Sequence, residues 1–242
     1  MDTSAEQAPS AGKVGLVGSG EYLEAMAEVD RELLTGRPPR AVMLPTAAAE
    51  EGADRVRYWI ELGTAHFDKL GAEPVALEVL TRQDAERPDL AEQVAGAGLV
   101  YLSGGNPGYL ADTLRDTAVW RAIVAEWRAG AALAGCSAGA CALTRVAQDI
   151  RNPSRSTGSG LGAVPGLAVI PHFDRIMEWV PNIAELYLSA APEGVTVVGI
   201  DEETALVGNS GQFTVAGRQA VWVLSEGTAP ARYDVGEVLA IG

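Results

Sequence analysis

Short, continuously apolar runs alternate with helical patterns as far as residue 147, and this alternation restricts the fold more than any other feature of the chain. "KVGLVG" (13–18), "RAVMLP" (40–45), "EPVALEVL" (73–80), "GLVYLS" (98–103) and "AALA" (131–134) read as strands. Residues 23–34, 53–70, 84–95, 107–115, 117–129 and 138–147 read as helices. In 53–70, Val56, Trp59, Ile60 and Phe67 repeat at helical spacing, and Thr117 is placed to cap the helix that follows it. Strands that are apolar throughout are buried on both faces, as in parallel sheets covered by helices. The expected fold class is therefore α/β, a mostly parallel sheet with helices on both faces.

Beyond residue 147 the pattern loosens. Residues 148–166 form a Gly/Ser/Arg-rich loop. "LAVIP" (167–171) is a further strand, and 174–190 a helix that Pro181 interrupts. "VTVVGID", "TALVG", "QFTVAG" and "AVWVLS" close the chain as partly antiparallel strands. Residues 1–12 read as a disordered tail and 13–242 as a single domain, a size ordinary for one α/β unit. The tail has neither the basic start nor the apolar stretch of a signal peptide. No apolar run approaches the roughly 20 residues of a membrane span.

A formal net charge of −14 repels nucleic acid and anionic membrane, and no basic stripe offsets it. Two cysteines, Cys136 and Cys141, are too few for a disulfide framework or a zinc site. The expected setting is a reducing cytoplasm, without cofactor or metal.

At the end of the fifth run the chain reads "LAGCSAGAC" (133–141), which contains G-x-S-x-G as Gly135, Ser137 and Gly139. Small neighbours let a strand turn sharply into a helix and expose the serine. A serine nucleophile needs a base within hydrogen-bond reach and a third group to orient that base. The chain has two histidines. His66 lies late in a helix and reads as an ordinary helix-end residue. His172 follows a strand directly, and ligands of parallel sheets meet the carboxyl ends of strands. His172 is the expected base. Asp201, Glu202, Glu203 and Asp174 are all placed to orient it, and alternation alone does not choose among them. The developing oxyanion needs donors. Ala138 N–H is one; Gly104 and Gly105 of "YLSGGNPGYL" (101–110) offer the other, since no side chain obstructs their amides. Cys136 should point back into the sheet, where a small thiol packs well.

The order Ser, His, acid resembles the class I glutamine amidotransferase-like fold, a flavodoxin-like three-layer sandwich. Within it, "GSGEY" (18–22), "YLSGGNPGYL", "GCSAGA" (135–140), "PHFD" (171–174) and "GIDEETAL" (199–206) look like the dipeptidase E / cyanophycinase family of serine peptidases. The resemblance implies a triad of Ser137, His172 and Glu202, with Gly105 and Ala138 as the oxyanion hole. It also implies a small aspartyl peptide, Asp-X or β-Asp-X, as substrate. An aspartyl group calls for a cation, and Arg145, Arg151, Arg155 and Arg175 lie after the elbow or the histidine. Cyanophycinases carry several arginines at helical spacing after the histidine, whereas the stretch 175–181 of this chain has a single one, Arg175, which favours a small peptide over cyanophycin. Glu21, Asn106 and Tyr109 are further expected pocket residues. The expected partners are a small peptide and, as an open alternative to the monomer, a second copy in a homodimer. An esterase or acyltransferase on the same elbow, and a non-catalytic binding domain, stand as the competing readings.

Overall fold

The computed structural model describes residues 11–148, 158–209 and 211–241. In chain order its elements run β1 (Val14–Val17), α1 (Ala27–Leu34), β2 (Arg40–Leu44), α2 (Ala53–Lys69), β3 (Glu73–Ala76), α3 (Arg82–Ala85), α4 (Pro88–Glu92), β4 (Leu99–Leu102), α5 (Pro107–Leu114), α6 (Ala118–Arg128), β5 (Ala132–Cys136) and α7 (Ala138–Leu143). They continue with β6 (Leu167–Ile170), α8 (Phe173–Trp179), α9 (Ile183–Ala190), β7 (Thr196–Ile200), β8 (Thr204–Asn209), β9 (Gln212–Gly217), β10 (Ala220–Leu224), β11 (Ala231–Asp234) and β12 (Val238–Ala240).

The strands form two sheets. The larger has the order β12-β9-β8-β1-β5-β4-β2-β3, and the smaller β11-β10-β7-β6. In the larger, β1 to β5 pair in parallel and β8, β9 and β12 add on antiparallel. In the smaller, β6 and β7 are parallel and the other pairings antiparallel. The sheet is thus mostly parallel at its centre with helices on both faces, as the alternation of runs predicts. The closing strands, however, split between two sheets instead of completing one.

Period two explains the double burial of the central strands. Leu16, Val42, Leu44, Val100, Leu102 and Leu133 pack on one face against α5, α6 and α7. Val17, Ala41, Met43, Leu99, Tyr101, Ala134 and Cys136 pack on the other against α1 and α2. Each buried Leu or Val contributes about 1.5–3 kcal/mol relative to exposure. The smaller sheet is also covered twice. Leu167, Val169, Val198 and Ile200 join the main core, while Ala168, Ile170 and Val197 pack against Phe173, Ile176 and Ile183 of α8 and α9.

Local chemistry sets the boundaries. Thr117 caps α6 by accepting the Trp120 N–H. Pro181 separates α8 from α9, as expected. Pro88 splits the helix expected over 84–95, because proline opens a helix but cannot sit inside one. The strand expected over 73–80 stops at Ala76: Pro74 suits an edge strand, and the buried Leu77 and Val79 then enter the core off the sheet. The helix expected over 138–147 ends at Leu143, and Arg145 N–H turns to Leu167 O at 2.8 Å. Gly12, expected in the tail, is buried and exchanges two hydrogen bonds with Trp127, each 2.8 Å. Positions 1–10 lie outside the described residues. No helix among the described residues is long and apolar enough to cross a membrane.

Candidate active site

The elbow is built on close approach. A Cβ on Gly135 would lie 2.4 Å from Gly139 C, and one on Gly139 2.1 Å from Leu102 O, so only glycine lets β5, α7 and β4 come together here. Between them Ser137 sits at φ 49°, ψ −107°. Non-glycine residues held in such regions cost about 1–3 kcal/mol and persist where surrounding structure imposes them. Val17 O supplies part of that restraint by accepting Ser137 N–H at 2.9 Å. His172 has positive φ as well, 51°, at the junction of β6 and α8. Glu203 (φ 51°) and Tyr22 (φ 63°) flank the same region.

Strain of this kind aims the side chains at one another. Ser137 Oγ lies 3.0 Å from His172 Nε2, and His172 Nδ1 lies 2.9 Å from Glu202 Oε1. Both ring nitrogens are thereby used, one on a hydroxyl and one on a carboxylate. Asp174 keeps Glu202 in place by accepting its backbone N–H at 2.8 Å, and Gln219 Nε2 bridges Asp174 and Glu202 O at 3.1 and 3.0 Å. The choice that alternation left open is resolved by geometry. Asp201 turns inward, is buried, and accepts from Trp222 Nε1 and Ala220 N–H. Burial pushes its carboxyl above the ordinary range. Glu203 turns outward to Arg218 at 2.7 Å.

Cys136 points away from the cavity, fully buried, and its thiol donates to Glu21 Oε2 at 2.8 Å. Burial, and then the Glu21 charge, push that thiol well above its ordinary value, so it stays protonated beside the serine. His66 lies apart from the elbow. It is buried against Asp30, Nε2 to Oδ2 2.8 Å.

Burial raises Asp30 above the ordinary aspartate range, despite the opposing histidine. A carboxyl with a raised folded pKa binds its proton more tightly when folded. Its stabilising contribution is full below the unfolded value and is lost as pH rises through the folded one. Asp30→Asn should therefore gain on the native protein over the pH range above about 4, by about 2–4 °C in Tm for each kcal/mol relieved. Parallel thermal melts across that range test this; a constant Tm difference would exclude it.

The cavity at Ser137 and His172 has a volume of about 350 Å³. Its other walls are residues 19–21, Gly104 and Gly105, and a patch of the α2 region: Glu51, Arg55, Tyr58 and Trp59. The Arg55 guanidinium stands 4.8 and 4.7 Å from the Tyr58 and Trp59 ring centres and pairs with Glu51 at 3.4 Å. Helical spacing in 53–70 marks the core face of α2 and does not point to this cation. The signal was present in "EEGADRVRYW" (50–59), a Glu–Arg pair four apart followed by two aromatics.

The expected cations are elsewhere. Arg175 and Arg145 are exposed and do not line this cavity, because α8 and the end of α7 lead them outward. Arg151 and Arg155 lie outside the described residues. Asn106 and Tyr109 also fail to line it. Asn106 caps α5 by accepting Tyr109 N–H at 3.0 Å, Tyr109 OH reaches Leu80 O at 2.7 Å, and both border a neighbouring cavity with Glu50 and Arg82. Glu21 does line the cavity, but its two oxygens serve Gly104 N–H and Cys136. Gly105 N–H makes no hydrogen bond among the described residues. Ala138 opens α7, so its N–H has no intrahelical acceptor. Among the described residues no cluster of His, Cys, Asp and Glu is arranged to hold a metal ion.

The chain is similar to known proteins over this whole arrangement. Residues 14–216 match the profile of peptidase family S51. The chain is 29% identical over 195 residues to the cyanophycinase of Trichormus variabilis (strain ATCC 29413 / PCC 7937), covering 75% of this chain and 62% of that protein. It thus spans about three fifths of that relative's length. It is 30% identical over 158 residues to Peptidase E of Citrobacter koseri, covering 61% of this chain and 68% of the other. The crystal structure of a peptidase from an acI-B1 Actinobacterium matches with a TM-score of 0.87 at 39% identity, over 97% of this chain and 98% of that one. A Listeria monocytogenes EGD-e structure, 18% identical with a TM-score of 0.67 over 87% of this chain and all of its own, shares the fold. With the profile matched from the first strand into β9, the chain belongs to peptidase family S51.

Proposed function

We propose that this chain is a serine peptidase that hydrolyses small aspartyl peptides, Asp-X or β-Asp-X, through an acyl-enzyme. One observation carries the reading: the Ser137–His172–Glu202 hydrogen-bond relay, 3.0 and 2.9 Å, at the wall of a cavity. In the tautomer with its proton on Nδ1, His172 donates to Glu202 and accepts the Ser137 hydroxyl proton at Nε2. Ser137 Oγ bonds to the amide carbonyl carbon, and the carbonyl electrons move to an oxyanion held by Gly105 and Ala138 N–H. Glu202 stabilises the imidazolium. The carbon–nitrogen bond then breaks as His172 returns the proton to the amine. Water repeats the sequence on the ester and releases the acid.

The aspartyl side of the reading draws on relatives named cyanophycinase and Peptidase E, and on the α2 patch. Glu51 and Arg55 present one charge of each sign, complementary to the ammonium and carboxylate of an N-terminal aspartyl group. Held against two rings, the guanidinium keeps its planar fork in one orientation. Purified protein and Arg55→Gln are to be assayed on Asp-X, β-Asp-X and neutral dipeptides. A charged hydrogen bond is worth about 1.5–3 kcal/mol, so kcat/KM for aspartyl substrates should fall about 10- to 100-fold while neutral ones stay unchanged. Equal losses on both classes would remove Arg55 as the discriminating cation. Hydrolysis of neutral peptides alone would discard the aspartyl preference, and turnover of esters alone would favour an esterase.

A further inference from the structure

We infer that Glu21 is a positioning residue that sets the oxyanion hole. The inference rests on the acyl-transfer reading and assigns a role to a buried carboxylate that the relay itself does not use. Glu21 is 5% exposed. Its Oε1 accepts Gly104 N–H at 2.9 Å and its Oε2 accepts the Cys136 thiol at 2.8 Å. One carboxylate therefore ties together the two segments that carry the oxyanion donors, for Gly104 precedes Gly105, and Cys136 lies two residues before Ala138.

The neighbouring residue grips the same loop. Tyr22 OH lies 2.8 Å from Ser103 Oγ, so Glu21 holds residue 104 and Tyr22 holds residue 103. A Cβ on Gly104 would lie 2.7 Å from Glu21 Oε1 and 3.6 Å from Ser137 Cβ, which places this loop directly between carboxylate and nucleophile. The brace also selects the donor. Gly104 N–H is consumed by Glu21, whereas Gly105, at φ +145° with Ala47 O 2.2 Å from where its Cβ would be, keeps its N–H unbonded among the described residues. A peptide plane pinned on one side presents the next amide in one direction, and preorganised donors stabilise the charge that develops in the transition state.

The test replaces Glu21 by Gln, whose single oxygen can accept from Gly104 N–H or from the Cys136 thiol but not from both, so one of the two ties is lost. Removing an oxyanion donor outright costs about 100- to 1,000-fold, so displacing one should lower kcat about 10- to 100-fold. KM should stay within about twofold, because the contact strengthens only at the transition state. Affinity for a substrate-like boronic acid, which forms a tetrahedral adduct on the serine, should fall in parallel with kcat/KM. A merely structural Glu21 would lower Tm and leave kcat and boronate affinity as they were, and that result overturns the inference. Should Glu21→Gln not fold, Cys136→Ala and Cys136→Ser replace it. The alanine variant should lose kcat and boronate affinity, the serine variant should keep both, and no loss in the alanine variant overturns the inference. Labelling by a fluorophosphonate, lost in Ser137→Ala, separates the two failures. Without labelling of the native protein the acyl-transfer reading falls and this inference with it; with labelling intact and Glu21→Gln unimpaired, this inference alone falls.

Discussion

Ser137→Ala is expected to reduce kcat on the order of 10⁶-fold, the scale seen when a serine triad loses its nucleophile. The protein should still fold. Ser137 stands at the head of α7, yet its side chain makes no capping bond there, so truncating it removes no helix cap. Alanine at φ 49° carries the same backbone strain that serine already bears. The substitution thus isolates the Ser137 hydroxyl. Steady-state kinetics beside a thermal melt read both halves, and the expected outcome is lost turnover with Tm within a few degrees. Retention of more than about one per cent of native activity would exclude Ser137 as the attacking atom. Cys136 does not rescue it, because its buried thiol is spent on Glu21.

Glu202→Gln should lower kcat about 10⁴-fold, the scale for neutralising the acid of a serine triad. An amide in this place no longer stabilises the imidazolium and admits the wrong histidine tautomer. The contrast lies with its neighbours. Asp174→Asn still leaves an oxygen for Glu202 N–H, and Asp201 faces Trp222 instead of His172. Both Asn variants should stay within about tenfold of the native rate, as expected for groups that support the turn without touching the ring. Comparable losses in Glu202→Gln and Asp201→Asn would show that the carboxylate on His172 is not the one that matters.

How legible this was in advance varies along the chain for physical reasons. Central strands such as "GLVYLS" are buried on both faces, so their apolar runs are unbroken and easily seen. β11 is exposed along nearly its whole length and β12 on both ends, so neither rises above the background of the sequence pattern. Thr117, Pro181 and the elbow glycines act through local backbone chemistry and read correctly. Pro88 acts in the same way and was overlooked inside a helical pattern. Arg55 could not be assigned to the site from α2 alone, since helical spacing says which face is apolar and not what the other face looks upon.

The division falls at the distance over which a residue acts. Sequence alone determined the doubly covered parallel core, the sharp turn at Ser137, and the strand-end address of His172, because each follows from the hydrophobic period or from dihedral preferences of adjacent residues. Only the tertiary structure decided that β6 and β7 form a second sheet, whose ends carry His172 and Glu202 across to a serine on the first. It also decided what strand alternation leaves open, that Glu202 faces the ring, as the family resemblance implies, while Asp201 turns to Trp222. It likewise placed Arg55, and not Arg175, in the wall of the cavity. Those outcomes depend on contacts between segments tens of residues apart, and no local preference encodes where such segments meet.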